Sequence, residues 1–203
     1  MRKTTYAWEM VFLELLKKRI LESGKALSQQ ILLVDSFLNH QVDVELMRKI
    51  GEEFARLFKD SGATRIMTIE SSGIVPASMT ALAMGLPLVV MKKSTSSILS
   101  EDILQTNVFS FTKGNNYQLT LKTKFVERGD RVLFIDDFLA YGEAAKGACK
   151  LIELAGASVA GVGIVIEKFF QPGRALLEQA GYPITALASI KSLDIGKIEF
   201  VEG

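Results

Sequence analysis

The chain has 203 residues, 48% of them hydrophobic, enough to bury one sizeable core and short for two full domains. Lysine and arginine total 24 against 23 for aspartate and glutamate, which excludes the broad basic surface of a nucleic-acid or membrane-surface binder. With one histidine and one cysteine, Cys149, an intrachain disulfide is impossible and a zinc site would need mainly carboxylates; oxygen-bound magnesium and a reducing cytoplasm fit better.

No apolar run reaches the length of a membrane span, and Glu9 and Glu14 interrupt any signal-peptide core. Residues 1–9 have no pattern of their own, which makes Met10 a candidate start. Val11, Phe12, Leu15, Leu16 and Ile20 fall at helical spacing and predict an amphipathic helix with Lys17, Lys18 and Arg19 near its end and Gly24 as its cap. KALSQQILLVDSFLNHQV, residues 25–42, has no helical period and reads as a short strand or hairpin plus loop outside the main sheet, a wall or lid for a flat ring. Within it His40 reads as a surface or hydrogen-bonded residue, whereas the Asn39 amide both donates and accepts and can read a base edge.

Asp43 is an N-cap candidate for a scaffold helix from Val44 to about Ser61. A strand over Arg65–Ile69 runs into ESSG and a helix over Ile74–Met84. Ser71 and Ser72 there offer hydroxyls and a flexible glycine to an anion, or equally a serine cap to the helix. The strand Leu88–Met91 delivers two cations, Lys92 and Lys93, to the same sheet end. STSSILSEDILQ, which follows, reads as a mobile loop over a site or as an exposed connection. Asn107–Phe111 and Gln118–Lys122 alternate around Gly114, Asn115 and Asn116 as a β-hairpin.

VLFIDDFLAYGEAA, from Val132 to Ala145, reads as buried strand, acidic turn and helix. Parallel sheets bind ligands outside the carboxyl ends of their strands, so Asp136 and Asp137 stand where chemistry sits; a solvated acidic turn closing a buried strand is the competing reading. The backbone around Gly142 can present N–H groups at a helix N-terminus as a phosphate cradle. A helix then runs from Ala144 to Ala155, with Cys149 as a buried small hydrophobe. The strand Val159–Ile166 delivers Glu167 and Lys168, and Lys168 either donates to a substrate carbonyl or forms a surface ion pair. Phe169 and Phe170 read as core or as base-stacking rings. A helix over Arg174–Gln179 and strands over Ile184–Ile190 and Lys197–Val201 complete an α/β domain with a mainly parallel sheet flanked by helices and joined by right-handed crossovers. We divide it into an N-terminal helix and hood segment (1–42), an α/β core (43–190) and a C-terminal strand (191–203) that shares the hood.

The stretch from Val132 to Ala145 resembles the phosphoribosyl-diphosphate (PRPP) motif of the type I phosphoribosyltransferases. That resemblance implies that Asp136 and Asp137 hold the ribose hydroxyls, sometimes through magnesium, and that Ala140, Tyr141, Gly142, Glu143 and Ala144 wrap the 5′-phosphate. It makes Ser71 and Ser72 the pyrophosphate loop, Lys92 a stabiliser of the leaving group, and Ser94 to Asp102 a loop that excludes water. Tyr141 and Glu143 depart from the family's hydroxyl-bearing loop.

DSFLNHQVD, ESSGI, IDDFLA, GIVIEKFFQPGR and SLDIGKIEFVEG are similar to the bacterial branch of that family that uses xanthine, which implies purine contacts from Leu32 and Asn39, a carbonyl reader in Lys168, and a homodimer. A donor-rich pocket suits a purine with two carbonyls better than adenine. Hypoxanthine-guanine members carry an acid where Ala140 stands, so either xanthine arrives deprotonated or a loop carboxylate such as Glu101 serves as base. The rival readings are a transferase for guanine, hypoxanthine or adenine, and a purine- or PRPP-sensing regulator of the same fold. A phosphoreceiver domain also has an acidic pair after a buried strand, but its remaining elements do not line up here.

Overall fold

A computed structural model describes residues 14–94, 102–111 and 114–202. The candidate start at Met10, the first helical positions Val11 and Phe12, Glu101 and most of the loop from Ser94 to Asp102 lie outside the described residues.

Residues 14–23 form helix α1, with Leu16 and Ile20 fully buried and Arg19 ion-paired to Asp43. Its last turn closes where the Gly24 N–H donates to the Ile20 carbonyl at 2.8 Å. Leu15, expected on the apolar face, is 37% exposed, because the buried stripe follows i and i+4 through Leu16 and Ile20. Strands β1 (Lys25–Ala26) and β2 (Leu32–Leu33) pair as a short antiparallel hairpin. The stretch after them, expected as loop, makes one π-helical turn over Asp35–Asn39 that buries Phe37 and Leu38. Helix α2 (Val44–Leu57) starts where the Asp43 carboxylate accepts the Leu46 N–H at 3.0 Å. It ends at Leu57 rather than near Ser61, because Ser61 turns back and donates from its N–H and its hydroxyl to the Phe58 carbonyl.

The remaining elements are β3 (Arg65–Ile69), α3 (Ile74–Met84), β4 (Leu88–Ser94), β5 (Ile103–Ser110), β6 (Asn115–Lys122), β7 (Arg131–Leu139), α4 (Glu143–Leu154), β8 (Ser158–Lys168), α5 (Gly173–Gln179), β9 (Ile184–Asp194) and β10 (Lys197–Phe200). Eight strands form one sheet in the order β10-β9-β8-β7-β3-β4-β6-β5. The run from β9 through β8, β7 and β3 to β4 is parallel, and both edges are antiparallel. Each face has its own core, which is why the central strands are continuously apolar. Leu133 and Ile135 of β7 point to α2, α3 and the hood side with Ile50 and Phe54, while Val132 and Phe134 point to α4 with Ala148 and Ile152.

Two strands outrun their apolar segments. β7 continues through Asp136 and Asp137 to Leu139, because β8 pairs with it that far, Asp136 opposite Ile164 and Leu139 opposite Glu167. The acids therefore end a strand and do not sit in a turn. β4 likewise runs past Met91 through both lysines, since Lys92 pairs with Thr120 and Ser94 with Gln118 of β6. Strand order reverses between β3 and β7, because α3 leads from β3 to β4 on one side and β7 lies on the other. Such a switch point opens a crevice at the carboxyl ends of the strands.

Candidate active site

Asp136 and Asp137 stand at that crevice. Asp136 is 8% exposed, and its Oδ1 accepts the Asp137 N–H at 3.1 Å. Burial, and then the neighbouring charge of Asp137, push the Asp136 carboxyl well above the ordinary carboxylate range; burial raises Asp137 as well. Two buried carboxyls this close ionise together only at a cost, which a cation or a hydrogen-bond donor offsets. Lys93 partly answers it, its positive charge pulling both acids down.

The turn after β3 folds over the acids. Gly73 packs so closely there that a Cβ would sit 2.4 Å from Thr68 Oγ1 and 2.5 Å from Asp136 Oδ1, so only glycine fits. Gly73, with no side-chain hydrogen bond, occupies the cap of α3, and the serine-cap reading of Ser71 or Ser72 is not realised. The peptide bond between Glu70 and Ser71 is cis. Ser71 is exposed and Ser72 half-buried.

Glu70 ties this turn to β4. Its Oε2 meets Lys92 Nζ at 3.0 Å, and its Oε1 accepts the Lys93 N–H at 2.6 Å. Burial works to raise Glu70, but these donors more than offset it and hold the carboxyl below its ordinary value. Lys92 is thereby a partner of the turn after β3, whereas Lys93 lines the cleft with the two acids, its ammonium 5.5 Å from the Tyr117 ring centre. Burial, with help from Asp136, pushes the Tyr117 phenol up to about 12, so it stays a hydrogen-bond donor.

The cleft, about 220 Å³, continues along Ala140 to Ala145. Gly142 has φ +87° and caps α4 without a side-chain hydrogen bond, so the first N–H groups of the helix face the cleft unclaimed by a cap. A Cβ on Gly142 would lie 2.8 Å from Gly173 Cα, and the Gly173 N–H donates to the Ala140 carbonyl at 3.0 Å. Loop and α5 thus hold each other. Tyr141 stacks on Phe111 with ring centres 3.9 Å apart and 19° between planes, and Phe109 meets Phe111 edge-on at 4.8 Å. The hairpin of β5 and β6 thus packs against the loop before α4.

Lys168 ends β8, its ammonium 5.7 Å from the Phe138 ring centre and 2.5 Å from the Gln30 carbonyl of the hood. Burial lowers its pKa. It does not pair with Glu167, which is fully buried and held by Arg174 at 2.7 and 2.8 Å and by the Ser189 hydroxyl at 2.8 Å. The Gln30 contact brings Lys168 to the hood near Leu32, which is 7% exposed. Asn39 is exposed on the π-helical turn, and no hydrogen bond among the described residues ties it to Lys168. Phe169 and Phe170 are 48% and 39% exposed and so are not core; the Arg174 guanidinium lies over Phe169 at 5.9 Å.

Sequence reasoning missed three contributors here, Glu70, Phe111 and Tyr117. Of these, Glu70 adjoins residues that it singled out; the aromatics carry no local signal.

The parallel sheet with its switch point, the strand-end acids and the glycine cradle are those of a type I phosphoribosyltransferase fold. Among solved structures, adenine phosphoribosyltransferase from Rhodothermus marinus superposes with a TM-score of 0.71 at 25% identity, over 89% of this chain and 99% of that one. Xanthine phosphoribosyltransferase 1 of Clostridium botulinum is 57% identical over 190 residues, 94% of this chain and 100% of the relative. Xanthine phosphoribosyltransferase of Clostridium acetobutylicum is 57% identical over 189 residues, 93% and 100%. No protein-family model matches the chain. The chain belongs to the xanthine phosphoribosyltransferase family.

Proposed function

We propose that this protein transfers ribose 5-phosphate from PRPP to a nitrogen of xanthine, giving xanthosine 5′-monophosphate and pyrophosphate, as a cytoplasmic purine-salvage enzyme acting as a homodimer of single-domain chains. The observation that carries the reading is the meeting, in one cleft, of the Asp136–Asp137 pair, Lys93 and the uncapped N-terminus of α4.

PRPP would lie with its 5′-phosphate on the N–H groups after Gly142, its ribose on Asp136 and Asp137, and its pyrophosphate toward Ser71, Ser72 and Lys92. As the bond from the ribose carbon to pyrophosphate loosens, positive charge grows on the ribose and negative charge on the leaving group. The carboxylates answer the first and the lysines the second. The purine nitrogen, its proton already lost to solvent as the xanthine anion or passed to a base, then bonds to the ribose carbon, and pyrophosphate leaves with the electron pair. The Phe111–Tyr141 stack would shield one side of the cleft from water.

Magnesium fits the donor set. Among the described residues no cluster of three or more His, Cys, Asp or Glu could hold a metal alone, and magnesium is commonly held by one or two carboxylates together with substrate phosphates. Asp136 or Asp137 would supply the carboxylate, and the bound ion would neutralise the pyrophosphate. For the purine, the Lys168 ammonium already donates to a carbonyl, that of Gln30, and a xanthine carbonyl would take the same donor. Leu32 would pack against the ring and Asn39 would read its edge.

Pyrophosphate release with PRPP and magnesium, offering xanthine, hypoxanthine, guanine and adenine separately, tests the reading. Xanthine should lead by at least about tenfold in kcat/KM. Another base in front would overturn the purine assignment and keep the transfer. No turnover with any base, in a protein that still binds PRPP, would favour a sensing regulator.

A further inference from the structure

Among the described residues lining the cleft, Asp136, Asp137 and Glu143 are acidic and Lys93 is the one cation. Glu143 is the first residue of α4, directly after the Gly142 turn, and no ion pair or hydrogen bond among the described residues engages its carboxylate. The other side chains of the loop give a phosphate little help. Ala140 and Ala144 have no polar side-chain atoms, and the Tyr141 ring stacks on Phe111, leaving its hydroxyl as the one neutral side-chain donor of these residues. A phosphate at this helix end is therefore held mainly by backbone N–H groups, with a carboxylate beside it.

An acid in the first turn of a helix interacts favourably with the helix dipole while the cleft is empty. A phosphate entering the same N-terminus competes for those N–H groups and meets the carboxylate's charge. Both effects weaken its binding. PRPP and the nucleotide product carry the same 5′-phosphate, so both are weakened, whereas pyrophosphate, at the turn of Ser71 and Ser72, is not.

We propose that Glu143 sets the residence time of the nucleotide product, its carboxylate opposing the 5′-phosphate and so trading affinity for PRPP against release of the nucleotide. This inference rests on the phosphoribosyltransferase reading and assigns Glu143 an opposing role within the loop that wraps the phosphate. Two like charges a few ångströms apart in a partly solvated cleft change affinity by about tenfold.

The test compares wild type with Glu143→Gln and Glu143→Ala, and with Asp60→Asn, which removes an acid whose side chain is 90% exposed after α2, as a net-charge control. Product-inhibition constants are measured for xanthosine 5′-monophosphate and for pyrophosphate, together with the KM for PRPP. Both Glu143 variants should lower the nucleotide constant and the PRPP KM about tenfold, leaving pyrophosphate within about twofold. Asp60→Asn should match wild type. An unchanged or weaker nucleotide constant in Glu143→Gln would overturn the inference, as would tightening in Glu143→Gln alone, which would point to a new amide hydrogen bond. Calorimetric titration with ribose 5-phosphate reads the same cradle without turnover. A wild type with no turnover whose Glu143→Gln variant still binds ribose 5-phosphate about tenfold tighter would overturn the proposed reaction and uphold the role of Glu143.

Discussion

Replacing Asp136 by Asn removes an ionisable group that the fold holds against its preference. The carboxyl is 8% exposed and next to a second acid, and burial followed by the charge of Asp137 raises its pKa well above 3.8. A group that binds its proton more tightly when folded contributes its full stability below the unfolded pKa, and that contribution is lost as pH rises through the folded value. At pH 8 the wild type therefore carries a penalty that Asn lacks. The amide is nearly the same size, and its Oδ1 can still accept the Asp137 N–H, now at 3.1 Å. With Lys93 offsetting part of the penalty, the gain at pH 8 should be about 1–2 kcal/mol, or about 2–8 °C in Tm for a chain of this length. Because Asp136 would hold the ribose, turnover should fall at least about 100-fold in the same variant. Scanning calorimetry at pH 8 and pH 4 provides the check. The gain should shrink at pH 4, where the wild-type carboxyl approaches the neutral state that Asn imitates. A variant less stable than wild type at pH 8, or a gain equal at both pH values, would refute the reasoning.

Gly142→Ala forces a side chain into the left-handed region at φ +87° and places its Cβ 2.8 Å from Gly173 Cα; it should cost about 1–2 kcal/mol and raise the KM for PRPP at least about tenfold, read by thermal melts and initial rates. Glu167→Gln weakens the two contacts to Arg174 in a fully buried position and should cost about 2–3 kcal/mol, lowering Tm by about 4–12 °C in calorimetry. Its effect on kinetics should fall on the KM for the purine, since Lys168 is the next residue along β8. Lys168 itself, with its pKa lowered by burial, should titrate below the ordinary lysine value of 10.5 in NMR of the labelled ammonium, and Lys168→Met should raise the KM for xanthine while leaving that for PRPP within about threefold. A normal lysine titration would remove the argument that the hood desolvates it.

Most of the fold is legible in the sequence because both faces of the central strands are covered. β3 and α3 have the bounds their sequence predicts, Arg65–Ile69 and Ile74–Met84, since an apolar run flanked by polar and glycine residues has one way to be buried. Strand ends are harder to read. The apolar run of β7 stops at Ile135, yet the strand continues to Leu139, because pairing is decided by how far the neighbouring β8 extends and not by the strand's own side chains. The π-helical turn at Asp35–Asn39 is hidden for a similar reason: Phe37 and Leu38 are buried by α1 and α2, elements set by other parts of the chain.

The site divides along the same line. Asp136, Asp137 and Gly142 are legible because a strand end followed by a helix start fixes what they can face, whatever surrounds them. Lys92 and Lys93 are not separable from sequence, since alternation sends adjacent residues to opposite faces and only the positions of Glu70 and Tyr117 decide which face meets the acids. Tyr141 shows how a misfit in the motif becomes intelligible once the neighbouring element is known. Read along the chain it is a bulky ring where the family keeps small polar residues; placed against the β5–β6 hairpin it is one half of a stack, 3.9 Å from Phe111. No such partner exists for the Glu143 carboxylate among the described residues. A large ring in the loop can be accommodated by packing, but a charge that packing leaves unpaired must act on whatever binds beside it, and in the proposed reaction that is the 5′-phosphate.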